Sequence, residues 1–260
     1  DPASEVYVRN KITTANKNNI DSLKITLSNE VSENILLDKI AELNNNPDVH
    51  GILVQLPLPK HISAKLVIQT INPEKDVDGF HPTNFGNLFI GNPSFIPCTP
   101  LGCFYMLKKE IPDLNGKNAV IIGRSNIVGK PMASLLLSSN CTVTIAHSKT
   151  INLIETCKKA DILIAAIGKP EMINEEHIKK NAVIIDVGIN RIEQNDLSLK
   201  NNKSKLVGDV NYNKVFDIVD KITPVPGGVG PMTIACLMHN TLKAAFLNKN
   251  DPFINILENM

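Results

Sequence analysis

The fold is decided by the segment Asn118-Ala-Val-Ile-Ile-Gly-Arg-Ser-Asn-Ile-Val-Gly-Lys-Pro131. Its apolar first part predicts a short buried strand, and residues 131–137 predict a helix with proline in its first turn. Gly123 and Gly129 lie in the loop that joins them. Such a loop leaves backbone N–H groups at the positive end of the helix dipole, where a pyrophosphate can bind. Because Ser125 replaces the middle glycine of the usual motif, the loop fits either a dinucleotide site or an ordinary strand–turn–helix corner.

The next strand indicates which dinucleotide would bind. Residues 142–146 are β-rich and are followed by His147, Ser148 and Lys149, with no carboxylate that could bind the 2′-hydroxyl of NAD. Arg124 and Ser148 instead offer a cation and a hydroxyl, which suit the 2′-phosphate of NADP. We therefore expect NADP as cofactor; the alternative is that both side chains are ordinary solvated loop residues.

The alternation of strands and helices continues along the chain. Apolar runs predict strands at 118–122, 142–146, 161–167, 182–187 and 206–207. This order predicts a parallel sheet covered on both faces. The ends of its third and fourth strands, residues 166–170 and 186–190, are expected to line the nicotinamide side of the cofactor site.

Composition excludes several classes of protein. A net charge of +1 over 260 residues gives no field for recruiting nucleic acid or an acidic membrane. The five cysteines are scattered without a C-x-x-C pair, which favours reduced thiols in a cytosolic or organelle-matrix compartment, and we expect a cytoplasmic protein. The sequence contains no H-E-x-x-H motif that would indicate a metal site, and no apolar run approaches the length of a membrane span.

The first hundred residues carry four candidate site residues. Tyr7 and Lys11 are four residues apart on a helix predicted for 5–17, so they share one face, although a surface pair has the same spacing. Residues 51–59 predict a strand that runs into a proline-stiffened loop, and Gln55, the one polar residue of the apolar run, either faces a ligand or is a satisfied buried amide. Asp78 lies in an acidic loop that fits a turn, a weakly supported metal site, or a carboxylate that binds a planar amidine-like edge.

A glycine- and proline-rich loop, residues 222–233, precedes a helix predicted for 234–247. Glycines and prolines fix a backbone without side-chain bulk, which suits a loop that closely approaches a ligand. A purely structural linker is the alternative. A domain boundary is expected near residues 96–102.

Several motifs now give the chain a resemblance to a known family. It resembles the bifunctional methylenetetrahydrofolate dehydrogenase/cyclohydrolases, in motifs that occur in the family's order over nearly the whole chain. These motifs are residues 4–11, Val54-Gln-Leu-Pro-Leu-Pro59, Pro73-Glu-Lys-Asp-Val-Asp-Gly79, Pro97-Cys-Thr-Pro100, Gly123-Arg-Ser-Asn-Ile-Val-Gly-Lys-Pro131 and Pro224-Val-Pro-Gly-Gly-Val-Gly-Pro-Met-Thr233.

The resemblance implies two α/β domains with a cleft between them, the second a Rossmann-like parallel sheet. A folate domain would comprise residues 1–102 with the helix of 234–260, and an NADP domain residues 103–233. The family carries a helix and a strand ahead of the segment that opens this sequence, so the sheet of the first domain is expected to lack a strand. The family also implies a homodimer.

The resemblance also assigns roles to residues. Tyr7 would pack on the pterin, Lys11 would be the catalytic lysine with Gln55 as its partner, and Asp78 would bind the amino and amide edge of the pterin. The substrate loop would contribute Pro224, Gly227 and Gly228, and NADP would be held by Gly123, Arg124, Ser125, Val128, Ser148 and Ile189. A monofunctional dehydrogenase and a shikimate-type NADP dehydrogenase are the alternative enzymes, and a non-catalytic dinucleotide sensor is the alternative of another class.

Overall fold

The computed structural model of the chain describes residues 2–194 and 203–248. These residues divide into two compact units, one formed by the described residues up to 98 together with those from 234, the other by those within 99–233. In the described part of the chain, no helix is both long enough and apolar enough to cross a membrane.

The helices of the described residues alternate with strands only in the second unit. The helices are α1 (Pro2–Lys17), α2 (Glu33–Asn45), α3 (Ala64–Thr70), α4 (Pro82–Phe89), α5 (Cys98–Glu110), α6 (Gly129–Ser138), α7 (Leu153–Cys157), α8 (Tyr212–Val215) and α9 (Val229–Asn248), with a 3-10 turn at Glu175–His177. The strands are β1 (Asn118–Ile122), β2 (Thr142–Ala146), β3 (Ile162–Ala165), β4 (Val183–Asp186), β5 (Asn190–Gln194), β6 (Lys203–Val207) and β7 (Lys221–Ile222).

The second unit contains a five-stranded sheet in the order β2-β1-β3-β4-β7, and every neighbouring pair is parallel. This confirms the predicted α/β class and the Rossmann-like parallel sheet. The chain runs β1, α6, β2 and then crosses to β3, so the strand order reverses beside β1. In such sheets, ligands bind at the carboxyl ends of the strands near the reversal.

The central strands β1, β3 and β4 are buried on both faces, which explains why they are nearly continuous apolar runs, whereas the edge strand β2 is largely exposed. Successive residues of β1 alternate between two cores: Ala119 and Ile121 pack with α5 and α6, whereas Val120 and Ile122 pack with α7 and α8. Each fully buried isoleucine stabilises the fold by roughly 1.5–3 kcal/mol relative to an exposed one. β3 and β4 divide their side chains between the same two cores.

One strand of the predicted sheet is elsewhere. Residues 206–207 were expected in the parallel sheet, but they belong to β6, which pairs antiparallel with β5 in a separate two-stranded ribbon. The fifth strand of the sheet is β7, only two residues long and paired with Val183 and Ile184. Its brevity explains why the sequence pattern did not reveal it.

The first unit packs α2 and α3 around Ile40 and Val67. Residues 51–59 were expected as a strand that runs into a proline-stiffened loop, but in the strand part only Ile52 pairs, through a bridge to Asp76. Pro57 and Pro59 have no N–H to donate to a ladder, which prevents a longer pairing over that half of the segment. The described residues of this unit contain isolated pairing but no strand.

A buried lysine ties the segment before Asp78 to α2. The Lys75 ammonium donates to the carbonyl oxygens of Leu43 (3.2 Å), Asn44 (2.8 Å) and Asn46 (2.8 Å). These carbonyls lie at the carboxyl end of α2, the negative end of the helix dipole, which favours a positive charge. The acidic loop that follows Lys75 is therefore anchored to a helix terminus.

Candidate functional site

Lys11 and Gln55 are brought together in the first unit, although they are 44 residues apart in sequence. The Lys11 Nζ donates a hydrogen bond of 3.1 Å to Gln55 Oε1, and Gln55 Nε2 donates to the Leu56 carbonyl at 2.7 Å. The second bond fixes which end of the amide faces the lysine. Tyr7 lies one turn before Lys11 on α1, and all three side chains are partly buried.

Asp78 belongs to the same cluster. Burial raises the pKa of its carboxyl group to about 6, the positive charge of Lys11 lowers it, and the neighbouring Asp76 carboxylate raises it. The influence of Lys11 on the Asp78 pKa shows that the two side chains lie within electrostatic range of each other. We call Lys11, Gln55 and Asp78 the Lys11 cluster.

The two carboxylates of the acidic loop have different environments. Asp76 is buried and its Oδ2 accepts from the His81 N–H at 2.7 Å and from Asn84 Nδ2 at 2.9 Å. Asp76 therefore has the structural turn role. Asp78 is more exposed, and among the described residues no group of His, Cys, Asp or Glu side chains is arranged to hold a metal. The turn role therefore falls to Asp76, and the binding of a hydrogen-bond-donating edge by Asp78 stays a prediction.

The backbone beside Asp78 is held from α9. Asn240, 2% exposed, donates through Nδ2 to the carbonyl oxygens of Val77 (2.9 Å) and Ile96 (3.0 Å). Gly79 has φ +73°, and a Cβ there would lie 2.7 Å from the Ile96 carbonyl carbon. Glycine is required at this position, because it alone satisfies both the backbone angle and the close approach.

The predicted cofactor residues lie at the carboxyl edge of the parallel sheet. The Gly123 N–H donates to Ala146 O at 2.9 Å, so β1 and β2 end side by side. Arg124 and Ser148 follow these two ends, and both are exposed. Ile189, 47% exposed, follows β4 at the same edge. The structure therefore brings all three residues to one edge of one sheet.

The glycines of the β1–α6 loop are required by packing. A Cβ on Gly123 would lie 2.2 Å from Ala166 O, and one on Gly129 would lie 2.1 Å from Gly123 O. Both neighbours are backbone atoms, so neither can yield as the end of a flexible side chain would. The two glycines thus allow α6 to begin directly against β1, as in dinucleotide-binding folds.

The expectation of free amides at the start of α6 is wrong for this structure. Ser125 Oγ accepts the N–H groups of Val128 (3.1 Å) and Gly129 (3.4 Å), and Ser125 O accepts that of Lys130 (3.1 Å). Pro131 has no N–H. Because a serine replaces the middle glycine, its hydroxyl occupies the amides that a phosphate would otherwise bind, and the hydroxyl hydrogen remains as a donor.

The donor set at this edge fits NADP. An arginine with a serine hydroxyl suits a 2′-phosphate, and the residues after β2 include no acid that would repel it. The hydroxyl of Ser125, polarised by two N–H groups, suits a pyrophosphate oxygen. Val128 is the residue from which the first turn of α6 begins.

The predicted substrate loop turns tightly at its glycines. Gly227 has φ +105°, and a Cβ on Gly228 would lie 2.6 Å from the Pro224 carbonyl oxygen, which accepts the Gly228 N–H at 3.0 Å. Pro224 and Val225 line a cavity of about 290 Å³ in the second unit. The loop is shorter than predicted, since α9 begins at Val229 and not at residue 234.

Two buried polar residues were missed by sequence reasoning. Asn240 donates to the Val77 carbonyl beside Asp78, although the two residues are 163 positions apart in sequence. Asp209 accepts four hydrogen bonds from residues that follow β3 and β4. The available signal was a single amide within the apolar helix of 234–247, and an acid directly after a strand between Gly208 and Val210. Neither signal identifies its distant partner.

Comparison with known proteins extends over both units. Residues 1–78 match the family model described as "Tetrahydrofolate dehydrogenase/cyclohydrolase, catalytic domain", and residues 97–249 match "Tetrahydrofolate dehydrogenase/cyclohydrolase, NAD(P)-binding domain". The second match confirms the prediction that the loop after β1 belongs to a dinucleotide site, and it decides against an ordinary strand–turn–helix corner.

Named relatives agree with the family models. The chain is 57% identical over 244 residues to the bifunctional protein FolD of Cereibacter sphaeroides, covering 94% of this chain and 80% of that protein. It is similar to the bifunctional FolD structure of Campylobacter jejuni, at 47% identity and a TM-score of 0.89, covering 96% of this chain and 85% of the other.

A structure from Trypanosoma brucei, described as N5,N10-methylenetetrahydrofolate dehydrogenase-cyclohydrolase (FolD) complexed with NADP cofactor and inhibitor, also matches. It is 35% identical with a TM-score of 0.89, over 96% of this chain and 84% of that one. Since the family models cover both units and the similarity spans nearly the whole chain, this protein belongs to the tetrahydrofolate dehydrogenase/cyclohydrolase family.

Proposed function

We propose that this chain oxidises 5,10-methylenetetrahydrofolate to 5,10-methenyltetrahydrofolate with NADP, and then hydrolyses the product to 10-formyltetrahydrofolate. The observation that carries the proposal is the Lys11 cluster, in which Lys11 Nζ lies 3.1 Å from Gln55 Oε1 and influences the pKa of Asp78. Family membership supports the same reactions, and it decides against the shikimate-type alternative and the non-catalytic sensor.

The oxidation step needs alignment more than proton transfer. The bridging carbon loses a hydride, and the positive charge that remains is shared by its two nitrogens, so no side chain has to remove a proton. NADP, when bound, supplies the hydride acceptor. We propose that Arg124 and Ser148 hold its 2′-phosphate, while Gly123, Ser125, Val128 and Ile189 complete its site.

The hydrolysis step needs a group that moves protons. Water adds to the cationic methenyl carbon, the bond from that carbon to N5 breaks, and N5 takes up one hydrogen while one proton is released. Lys11 is proposed to transfer the proton, with Gln55 holding its ammonium in place.

The remaining substrate residues are proposed to bind the ends of the folate. Asp78 accepts from the amide and amino groups of the pterin, because a carboxylate has two oxygens for two donors. Tyr7 packs on the pterin ring. Pro224, Gly227 and Gly228 flank the aminobenzoate, where the small residues leave the backbone accessible.

We further propose a homodimer in the cytoplasm. All five cysteines are free and buried, as expected for a reducing compartment. The dimer rests on the resemblance to the family.

The proposed function is tested by one spectrophotometric assay. With methylenetetrahydrofolate and NADP, the reduced cofactor appears while the methenyl absorbance rises and then decays. A monofunctional dehydrogenase would give a methenyl signal that decays no faster than in buffer. With methenyltetrahydrofolate alone, Lys11→Met should lower the hydrolysis rate by roughly 10²–10⁴-fold, because the proton-transfer group is lost.

Lys17→Met is the matched control, since Lys17 is exposed on the same helix. It should hydrolyse methenyltetrahydrofolate at the wild-type rate. Wild-type hydrolysis by Lys11→Met would remove Lys11 from the mechanism.

Arg124→Ala tests the phosphate assignment. Loss of a charge-assisted contact should weaken NADP binding by about 1.5–3 kcal/mol, whereas NAD, which has no 2′-phosphate, should lose far less. Dissociation constants for both cofactors measure this difference. Lys117→Ala, an exposed lysine at the amino end of β1, is the control. Equal losses for the two cofactors would contradict the assignment.

Asp78→Asn tests the ionisation of this half-buried carboxyl group. Its pKa is raised to about 6 by burial, so between about pH 4 and pH 6 the native chain binds more protons there than the unfolded chain. Stability from protonated Asp78 is therefore lost as the pH rises through this window, and at pH 7 the ionised group costs at most about 3 kcal/mol. Asp78→Asn should unfold at a higher temperature than wild type at pH 7 but not at pH 4.

The same variant should bind folate substrate more weakly by roughly 1–3 kcal/mol, since the amide cannot accept from both pterin donors. Asp48→Asn, which changes an exposed carboxylate of the same unit, should alter neither property. Wild-type folate affinity in the Asp78→Asn variant would show that Asp78 is a turn residue only.

A further inference from the structure

Two buried carboxylates lie at the carboxyl edge of the sheet and have no part in the proposed chemistry. Asp186, 3% exposed, ends β4, and Asp209, 0% exposed, follows β6. Within residues 2–194 and 203–248, neither carboxylate forms an ion pair with a lysine, arginine or histidine. Their charges are met by N–H donors instead.

Asp209 accepts from two loops at once. Its Oδ2 accepts the N–H groups of Ile167 (2.6 Å) and Gly168 (2.9 Å), in the loop after β3. Its Oδ1 accepts the Lys169 N–H (2.9 Å) and Asn190 Nδ2 (2.9 Å). Three consecutive amides of one loop thus point at one carboxylate, which fixes the backbone of that loop.

Asp186 fixes Asp209 in turn. Its Oδ1 accepts the N–H groups of Gly188 (3.0 Å) and Asp209 (2.9 Å), and its Oδ2 accepts that of Val210 (2.9 Å). A Cβ on Gly208 would lie 1.8 Å from Asp186 Oδ2, so only glycine fits beside this carboxylate. The two carboxylates form a chain of contacts from β4 through residues 208–210 to the loop after β3.

This series of contacts ends at the loops where the cofactor is expected. In open parallel sheets the loops after the strands bind the ligand, and residues 166–170 and 187–190 are such loops. Ile189, a proposed NADP residue, immediately precedes Asn190, whose side chain Asp209 binds. Catalysis by hydride transfer depends on alignment, so displacement of these loops would be costly.

We propose that Asp209, anchored by Asp186, is a positioning residue that holds the loops after β3 and β4 in the conformation that binds the nicotinamide end of NADP. The proposal rests on the proposed function. It goes beyond that function because the buried Asp209 would affect NADP binding through the backbone of these loops.

The test is Asp209→Asn. The amide retains one acceptor oxygen and turns an NH₂ group toward N–H donors, so two of the four hydrogen bonds are lost without a change of shape. The KM for NADP should rise by about 10- to 100-fold, with hydrolysis of methenyltetrahydrofolate in the absence of NADP falling far less. Amide hydrogen exchange of Ile167, Gly168 and Lys169 in the cofactor-free protein should become faster.

Asp161→Asn is the matched control. Asp161 accepts the Asn118 N–H at 2.8 Å and pairs with Lys179, at the amino ends of β1 and β3, far from these loops. It should leave the KM for NADP and the exchange of the three amides unchanged.

An unchanged KM for NADP, unchanged exchange, or an equal fall of both activities in Asp209→Asn would overturn the proposal. If Asp209→Asn does not fold, Asn190→Ala removes one of the four partners and should raise the KM for NADP by a smaller factor; no rise would overturn it. A wild-type protein without either activity would refute the proposed function instead.

Discussion

The hydrogen bond from the Lys11 ammonium to the side-chain oxygen of Gln55 is the interaction on which the proposed chemistry depends. A lysine side chain has four rotatable bonds and a point charge, so α1 alone does not determine where the charge lies. The amide of Gln55 does, because its own NH₂ group is committed to the Leu56 carbonyl and its oxygen must face the lysine. The position of Lys11 is therefore set by the backbone of an extended segment in the same unit.

Backbone groups also position the other ionisable residues of the first unit. The acidic loop is held by Lys75 at the carboxyl end of α2 and by Asn240 on the Val77 and Ile96 carbonyls. Buried carbonyls must find donors, so these contacts are both stabilising and directional. The Asp76 carboxylate accepts the hydrogen bonds that form the turn, whereas burial raises the pKa of Asp78. In the first unit side-chain donors bind backbone carbonyls, whereas in the second unit the carboxylates of Asp186 and Asp209 accept backbone N–H groups.

Much of the second unit could be predicted from the sequence because its central strands β1, β3 and β4 are buried on both faces. β1 to β4 appear as apolar runs separated by glycines and helices, and the carboxyl-edge residues Arg124, Ser148 and Ile189 follow from their positions. The pairing of β6 with β5 could not be predicted in this way, since a two-residue apolar run does not indicate its partner. Ser125 was recognised as a departure from the glycine motif, but its contact with the α6 amides depends on loop geometry.

The first unit was harder to predict for a physical reason: its site is made by contacts between residues far apart in sequence. The segment of 51–59 is an apolar run that contains β-formers, yet only Ile52 finds a pairing partner. Asn240 lies in a helix whose apolar pattern conceals one essential amide. Lys11, Gln55 and Asp78 are candidates from their positions in the sequence and receive their roles from the resemblance, whereas the contact between Lys11 and Gln55 appears only in the structure.

The most direct test of the central claim is a double-mutant cycle on the hydrolysis of methenyltetrahydrofolate, with Gln55→Ala made in the wild-type and Lys11→Met backgrounds. If Gln55 acts by holding the Lys11 ammonium, Gln55→Ala should lower the rate by about tenfold in wild type and have no further effect in Lys11→Met. The same factor in both backgrounds would show that the two residues act independently and would contradict the account.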